Sequence, residues 1–188
     1  MIVLTTDRLI IRDHRPTDLE AYHALVSNPA VMCRHSTPTR DLEHSRVRLW
    51  EAIEQNNLAA RKLYFFGIEE RLTARYMGSI GYTVDTVTPP GKLAAVGYFI
   101  DIPDRGKGYI SEALRAVVRF AFEEDDVCRF EAGCLKENAA SRRVLEKCGF
   151  IQEAEFKAYQ WHEGLLKDRV QYRLLHAEWL EGTRPPSD

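Results

Sequence analysis

Positive charge and glycine are concentrated in residues 104–112, which read DRGKGYISE. Residues 96–100, just before them, are largely aromatic and β-branched, which is typical of a buried strand. Apolar residues then recur at helical spacing over residues 110–121, so the segment predicts a strand, a glycine turn and a helix. The first amides of a helix have no carbonyl partners and carry the positive end of the helix dipole. Because Gly106 and Gly108 would leave these amides open, the turn suits a phosphate or pyrophosphate.

A tight turn that merely carries surface charge is the alternative to a phosphate site. Two known phosphate-binding loops are excluded. The sequence contains no G-x-x-x-x-G-K-[ST] motif and therefore no P-loop. A Rossmann fingerprint requires G-x-G-x-x-G, and Ser111 occupies its last position.

Three blocks in this sequence resemble the GNAT superfamily of N-acetyltransferases. Residues 105–110 resemble its acetyl-CoA loop, [QR]-x-x-G-x-[GA], with Arg105 first and Gly108 fourth, although Ile110 replaces the small sixth residue. Residues 137–150 resemble a second block, N-x-x-S-x-x-x-x-E-K-x-G-F. Residues 4–12 resemble the opening of the RimJ/RimL branch, which contains ribosomal-protein N-terminal acetyltransferases.

The resemblance implies an α+β fold and a co-substrate. The expected GNAT fold is a mixed, mostly antiparallel seven-stranded sheet with a splayed parallel strand pair and helices on both faces. Acetyl-CoA would lie in the splay, where backbone groups at the end of one strand pair with its pantetheine arm. The residues expected to bind it are Phe99, Ile100, Asp101, Ile102, Arg105, Gly106, Lys107, Gly108, Tyr109, Ile110, Ser111, Asn138 and Arg143.

Ser141 is the candidate catalytic residue, because it aligns with the family position proposed to protonate the departing thiolate. Many family members carry a tyrosine four residues later, where this sequence has Leu145. The alternative is an ordinary helix serine that bonds its own backbone. Cys134 is a candidate acyl-carrying nucleophile, but cysteine more often serves as a small buried hydrophobe. We therefore expect direct transfer without an acyl-enzyme.

The sequence singles out no general base; Glu153, Glu155, His162 and Asp168 are all candidates in the last part of the chain. Deprotonating a lysine ε-amine at pH 7 costs ~4–5 kcal/mol, whereas an α-amine costs ~1 kcal/mol. A site with a weak base therefore favours the α-amine of a protein or peptide N-terminus. A small amine, such as a polyamine or an amino-group antibiotic, and a non-catalytic CoA-binding sensor remain alternatives.

Composition limits the remaining possibilities. The 188 residues, 45% of them hydrophobic, fit one acetyltransferase domain over residues 1–181 with a flexible tail over residues 182–188. A formal net charge of −2 argues against a nucleic-acid partner, and no apolar run is long enough for a membrane span. The four cysteines lack metal-site spacing, so we expect no metal and a reduced, cytoplasmic protein. The resemblance also allows a homodimer.

Hydrophobic periodicity and turn residues predict the order of elements. A capping box at Thr17 starts a helix at Asp18 that buries Leu19, Tyr22, Leu25 and Val26. Further helices are expected over residues 41–57, 108–124 and 139–148. Strands are expected over residues 9–13, 63–69, 76–85, 94–101, 127–132, 150–160 and 167–175. The strands on either side of the 108–124 helix should be parallel, because a crossover helix joins them.

Overall fold

A single eight-stranded sheet organises the fold in the computed structural model, which describes residues 1–33 and 39–183. The strand order is β1-β2-β3-β4-β5-β6-β8-β7. Only β5 and β6 pair in parallel among the described strands, as a crossover helix between them requires. The strands are β1 Val3–Thr5, β2 Leu9–Asp13, β3 Leu63–Glu70, β4 Tyr76–Thr88, β5 Gly91–Ile100, β6 Val127–Leu135, β7 Ile151–His162 and β8 Leu165–Leu175.

The predicted seven strands are all present, and the additional one is β1. It has three residues, which is too short for an alternating pattern to be recognised in the sequence. It forms because Val3, Leu4 and Thr5 pair with β2 across a tight connection. The mixed, mostly antiparallel architecture is otherwise confirmed.

Helices cover both faces of this sheet. They are α1 Leu19–Val26, α2 Pro29–Met32, α3 Leu42–Gln55, α4 Tyr109–Glu124, α5 Ala139–Lys147 and α6 His176–Thr183. Neighbouring side chains of β3 point to opposite faces of the sheet. Phe66 packs in the cluster that contains α4, whereas Phe65 packs against α1 and α3. Helices α4 and α5 therefore lie on one face of the sheet and α1–α3 on the other.

The first helix begins one residue later than predicted, and Thr17 does not cap it. Pro16–Asp18 form a 3-10 turn, Thr17 is exposed, and α1 starts at Leu19, which is only partly buried. The Asp18 carboxylate instead accepts hydrogen bonds from the backbone N–H of Arg15 at 2.8 Å and from the Arg12 guanidinium. This buried ion pair, which sequence periodicity does not reveal, fixes the entry of the helix.

The predicted splay of the parallel pair is confirmed. The strands β5 and β6 pair from Lys92–Val127 to Ala95–Glu131 and then separate. The ladder between β5 and β6 does not continue past Ala95–Glu131, while β6 pairs with β8 along its other edge from Arg129 to Leu135. The sheet therefore opens between its two halves, and the last part of β5 faces this opening.

The last described residues form a helix, α6, that was not predicted from the sequence. Gly182 and Thr183, assigned from the sequence to a flexible tail, belong to α6. This helix is held by Trp179, whose ring centroid lies 5.5 Å from that of Phe122. Residues 184–188 of the predicted tail lie outside the described residues. Within residues 1–33 and 39–183, no helix has the length and apolar character needed to cross a bilayer.

Candidate active site

A cavity of about 750 Å³ occupies the opening between β5 and β6. Its walls come from both faces of the sheet. Tyr22 and Phe65 belong to the cluster around α1–α3, while Ile110 and Leu145 belong to the cluster around α4 and α5. The cavity therefore passes through the sheet, so two reactants could approach each other from opposite faces.

The glycine turn at the start of α4 forms one end of this cavity. Gly108 is the N-cap residue with φ +83°, and Gly106 has φ +77°, a region in which residues with a Cβ are strained. A Cβ on Gly106 would meet no atom within 4 Å, so the space above the turn is open. The amides of the first helical turn therefore face a concave, accessible surface.

The N-terminal segment holds this turn in place. Arg8 donates to the backbone carbonyl of Lys107 at 3.0 Å and to Glu112 at 2.6 Å, and its guanidinium lies 4.6 Å from the centroid of the Tyr109 ring. Thr6 also donates to Glu112, at 2.7 Å. Two of the three blocks noted in the sequence are thus in direct contact.

Ser141, Tyr98 and Cys134 form a polar cluster in the middle of the cavity wall. Asn138 begins α5 by accepting a hydrogen bond from the backbone N–H of Ser141 at 3.2 Å. The Ser141 hydroxyl oxygen lies 2.8 Å from the Tyr98 hydroxyl oxygen. Because its hydroxyl is engaged by Tyr98, Ser141 is not simply a helix serine bonded to its own backbone.

Burial keeps the two weak acids of this cluster protonated. It raises the pKa of Tyr98 well above the usual value for tyrosine, against the opposing effect of the hydrogen bond with Ser141. It also raises the pKa of the Cys134 thiol, again against a hydrogen bond with Ser141. Since the thiolate is the nucleophilic form, Cys134 is poorly suited to attack a thioester.

The expected general bases lie away from the cavity. Glu153 pairs with Arg129 at 2.7 Å, Glu155 with Lys136 at 2.8 Å and Asp168 with Lys157 at 2.9 Å, and none of the three lines the cavity. His162 does not line the cavity either. Its ring nitrogen lies 2.6 Å from the carbonyl oxygen of Cys33.

Glu131 and Asp104 are the carboxylates that line the cavity within the described chain. Asp104 is bound by Arg75 at 2.8 Å, and this hydrogen bond lowers its pKa. Glu131 accepts from Arg129 at 2.9 Å and from Gln171 at 3.2 Å, and its side chain is 45% exposed. Glu131 is therefore the candidate base that sequence reasoning missed.

Comparison with known proteins identifies the family. A sequence profile of the acetyltransferase (GNAT) domain matches residues 8–151. The chain belongs to the GNAT acetyltransferase family. It is 30% identical to the uncharacterized N-acetyltransferase YoaA of Bacillus subtilis, over 92% of this chain and 96% of that protein.

Two further relatives differ in the acceptor that their names describe. The [ribosomal protein uS5]-alanine N-acetyltransferase of Escherichia coli is 26% identical, over 95% of this chain and 93% of that one. The spermidine N-acetyltransferase of Vibrio cholerae, solved with CoA and spermine, superposes with a TM-score of 0.80 at 18% identity, covering 93% of this chain and 99% of that chain. The second likeness shows the fold alone.

The protein is thus an N-acetyltransferase that uses acetyl-CoA as its co-substrate. The observed cavity fits this molecule. The open glycine turn at the start of α4 suits its pyrophosphate, and the edge of β5 that faces the opening suits the amides of its pantetheine arm. Arg143 and Lys147 on α5 also line the cavity and offer further positive charge for phosphate groups.

Most of the residues expected to bind acetyl-CoA come together here. Those that line the cavity are Phe99, Ile100, Arg105, Gly106, Gly108, Tyr109, Ile110, Ser111, Asn138 and Arg143. Asp101, Ile102 and Lys107 do not. Asp101 caps the following 3-10 turn, Ile102 is exposed, and Lys107 lies 3.4 Å from Asp104. Their assignment, like that of the others, stays a prediction.

Tyr98 is a further residue that the sequence did not single out. Its place in a strand of aromatic and β-branched residues indicates only a buried wall. Its contact with Ser141 spans 43 residues and depends on α5 packing beside the end of β5 that separates from β6. A tyrosine in that strand would have been noticed only once the splay and the position of α5 were known.

Proposed function

We propose that this enzyme acetylates the α-amine of a protein or peptide N-terminus by direct transfer from acetyl-CoA. The observation that carries the proposal is that both carboxylates lining the cavity among the described residues, Glu131 and Asp104, are already hydrogen-bonded within the protein. Glu131 lines the cavity but is already hydrogen-bonded to Arg129 and Gln171. An α-amine requires only ~1 kcal/mol to lose its proton at pH 7, whereas a lysine side chain requires ~4–5 kcal/mol. A carboxylate that is already hydrogen-bonded therefore suits an α-amine better than a lysine ε-amine.

The proposed reaction assigns a role to each polar group of the cavity. Glu131 receives the amine proton, directly or through water, as the N–C bond forms and the C–S bond breaks. The Ser141 hydroxyl gives its proton to the departing thiolate while the Tyr98 hydroxyl, 2.8 Å away, donates a hydrogen bond to the serine oxygen. The amine proton taken up by Glu131 then returns to Ser141 through water, which restores both groups. Backbone N–H groups near Ile100, at the end of β5 that faces the opening, polarise the thioester carbonyl.

Two other functions have less support from the structure. A polyamine acceptor would call for a cavity lined with carboxylates, and only Glu131 and Asp104 meet that description among the described residues. A non-catalytic sensor would call for Ser141 to point into the core or for a closed cleft. Ser141 instead lines an open cavity that spans the sheet.

The assembly that we propose is a homodimer of single-domain subunits, with the β7–β8 hairpin at the interface. Large apolar side chains of this hairpin are exposed: Phe156, Tyr159, Trp161, Leu165 and Leu166. Large exposed apolar patches on a protein surface often mark sites of protein–protein interaction. Light scattering during size-exclusion chromatography tests the proposal, and a mass of one chain across micromolar concentrations would contradict it.

The acceptor is tested by thiol release from acetyl-CoA with three matched acceptors. One peptide carries a free α-amine and no lysine, the second carries a blocked α-amine and one lysine, and the third acceptor is spermidine. We expect rapid release with the first peptide and little with the others. Faster release with either of the others would contradict the proposed α-amine specificity.

A further inference from the structure

The α1–α3 side of the cavity carries arginine side chains that form no ion pair with a carboxylate of the described residues. In β8, Val170, Tyr172 and Leu174 pack in the α4 cluster, so Arg169 points to the opposite face. Arg169 lines the cavity, and no carboxylate of the described residues lies within 4 Å of its guanidinium. An arginine inside a cavity without an anionic partner is a strong candidate for binding an anionic ligand.

Gly133 of β6 leaves room for the Arg169 guanidinium. A Cβ built on Gly133 would lie 2.0 Å from an Arg169 terminal nitrogen and 2.5 Å from its Cζ. Any side chain at Gly133 would therefore push the guanidinium away from the β6 backbone. The absence of a side chain at Gly133 lets Arg169 lie flat across the floor of the cavity.

Gln160 of β7 fixes the guanidinium and adds a second donor. Its amide oxygen accepts a hydrogen bond from Arg169 at 3.0 Å, which orients the amide. The amide nitrogen is then buried and has no partner among the described residues, although Gln160 lines the cavity. A buried donor without a partner is costly, and an acceptor oxygen from a ligand would satisfy it.

A second cation lines the same side of the cavity. Arg40, just before α3, donates to the Tyr22 hydroxyl at 2.5 Å and has no carboxylate partner in the described chain. Of the other charged groups on this side, Arg48 pairs with Glu51, and Glu131 shares Arg129 with Glu153. Arg40 and Arg169 therefore give this side positive charge that is not paired with any described carboxylate.

We propose that Arg169, oriented by Gln160 over Gly133, binds a carboxylate of the acceptor, so that the enzyme selects peptide N-termini with acidic side chains close to the reacting amine. This inference rests on the proposed function, since it names the class of peptide that the same cavity accepts. A guanidinium fork binds a carboxylate in a bidentate manner, and the same positive charge repels a basic peptide.

The test compares peptides of equal length that share the first residue and carry Glu, Gln or Lys at positions two to four. We expect wild-type kcat/KM to be at least about tenfold higher for the Glu peptide than for the Lys peptide, and the ratio to fall with rising salt. In Arg169→Gln the ratio should approach one, mainly through KM, because the contact is made equally in the ground and transition states.

Two variants control for charge and for folding. Arg119→Gln removes one positive charge from the exposed side of α4, outside the cavity, and should keep the wild-type ratio. Gly133→Ala keeps Arg169, but its added methyl group would displace the guanidinium. This variant should lower the ratio of kcat/KM between the Glu and Lys peptides without changing the melting temperature. Equal rates with Glu and Lys peptides, or an acidic preference that Arg169→Gln leaves undiminished, would overturn the arginine proposal alone. Turnover of none of the peptides would overturn the proposed function together with it.

Discussion

Two polar clusters in this molecule each contain a serine hydroxyl, but only one of them borders the cavity. In the core, His14 lies 3.3 Å from Asp18 and 3.1 Å from the Ser79 hydroxyl, which are the residue types of a Ser-His-Asp triad. All three are buried, none lines the cavity, and the Ser79 hydroxyl donates to the Phe66 carbonyl at 2.9 Å.

The second cluster, Tyr98, Ser141 and Cys134, holds fewer charges but borders the cavity. Its hydroxyl groups bond to each other and remain accessible from the opening between β5 and β6. The comparison shows that access to a ligand, and not the types of side chain, separates a site from a structural network. Substitutions in the first cluster should change stability, and substitutions in the second should change turnover.

The largest effect is expected from Asp18→Ala in the buried cluster. Asp18 makes two hydrogen bonds of 2.8 Å to Arg12, whose side chain is also buried. Arg12 would keep Glu69 as a partner but would lose both bonds to Asp18, and His14 and the Arg15 backbone N–H would lose theirs, so we expect a loss of about 3 kcal/mol in the free energy of unfolding. Urea denaturation measures it, and a loss below about 1 kcal/mol would show that the network is not structural.

Gly108→Val should weaken acetyl-CoA binding more than tenfold, because a branched side chain would lie over the amides that receive the pyrophosphate. Gly164→Val is the matched control. Gly164 has φ +78°, close to the +83° of Gly108, but lies in the β7–β8 turn outside the cavity. Calorimetric titration should find the loss in Gly108→Val alone, and equal affinities in the two variants would place the pyrophosphate elsewhere.

The buried cluster should also give stability a dependence on pH. Burial alone would raise the pKa of Asp18, but hydrogen bonds from Arg12, His14 and the Arg15 backbone hold it well below the ordinary value. The stabilisation is therefore fully present above about pH 4, the unfolded value, and is lost as pH falls toward the folded one. The stability difference between wild type and Asp18→Asn should shrink below pH 4; a difference that grows on acidification would contradict this assignment.

The smallest effect is expected from Cys134→Ala. Burial raises the pKa of this thiol, so that it carries little thiolate at neutral pH. Direct transfer predicts turnover within about a factor of three of wild type in the thiol-release assay. Loss of activity, together with an acetylated enzyme in mass spectrometry, would establish an acyl-enzyme instead.

Local sequence patterns predicted much of the fold and the part of the cavity wall that the glycine turn and the start of α5 form. The glycine turn, the α4 helix after it and the Asn138 cap depend on residues that are neighbours in sequence, and all are found where the pattern indicated. The α3 helix was also predicted close to its observed bounds, because Asp41 supplies a cap and Leu49 and Ile53 share one side.

Long-range contacts could not be predicted in the same way. The sequence left the base open among Glu153, Glu155, His162 and Asp168, and it could not show that the three carboxylates pair with lysine and arginine side chains outside the cavity lining. Glu131 was passed over because its position at the point where β5 and β6 separate depends on strand pairing. The Arg12–Asp18 pair is local, but it depends on Asp18 lying in a 3-10 turn before α1, which the capping pattern at Thr17 does not indicate.

The most direct test of the central claim compares Ser141→Ala with Ser79→Ala in the same thiol-release assay. If the cavity cluster supplies the proton to the leaving thiolate, Ser141→Ala should lower kcat by up to ~10²-fold with little change in acetyl-CoA affinity or melting temperature. Ser79→Ala should lose about 1–2 kcal/mol of stability and keep its kcat. Near-wild-type kcat in Ser141→Ala, or a collapse of kcat in folded Ser79→Ala, would contradict the account.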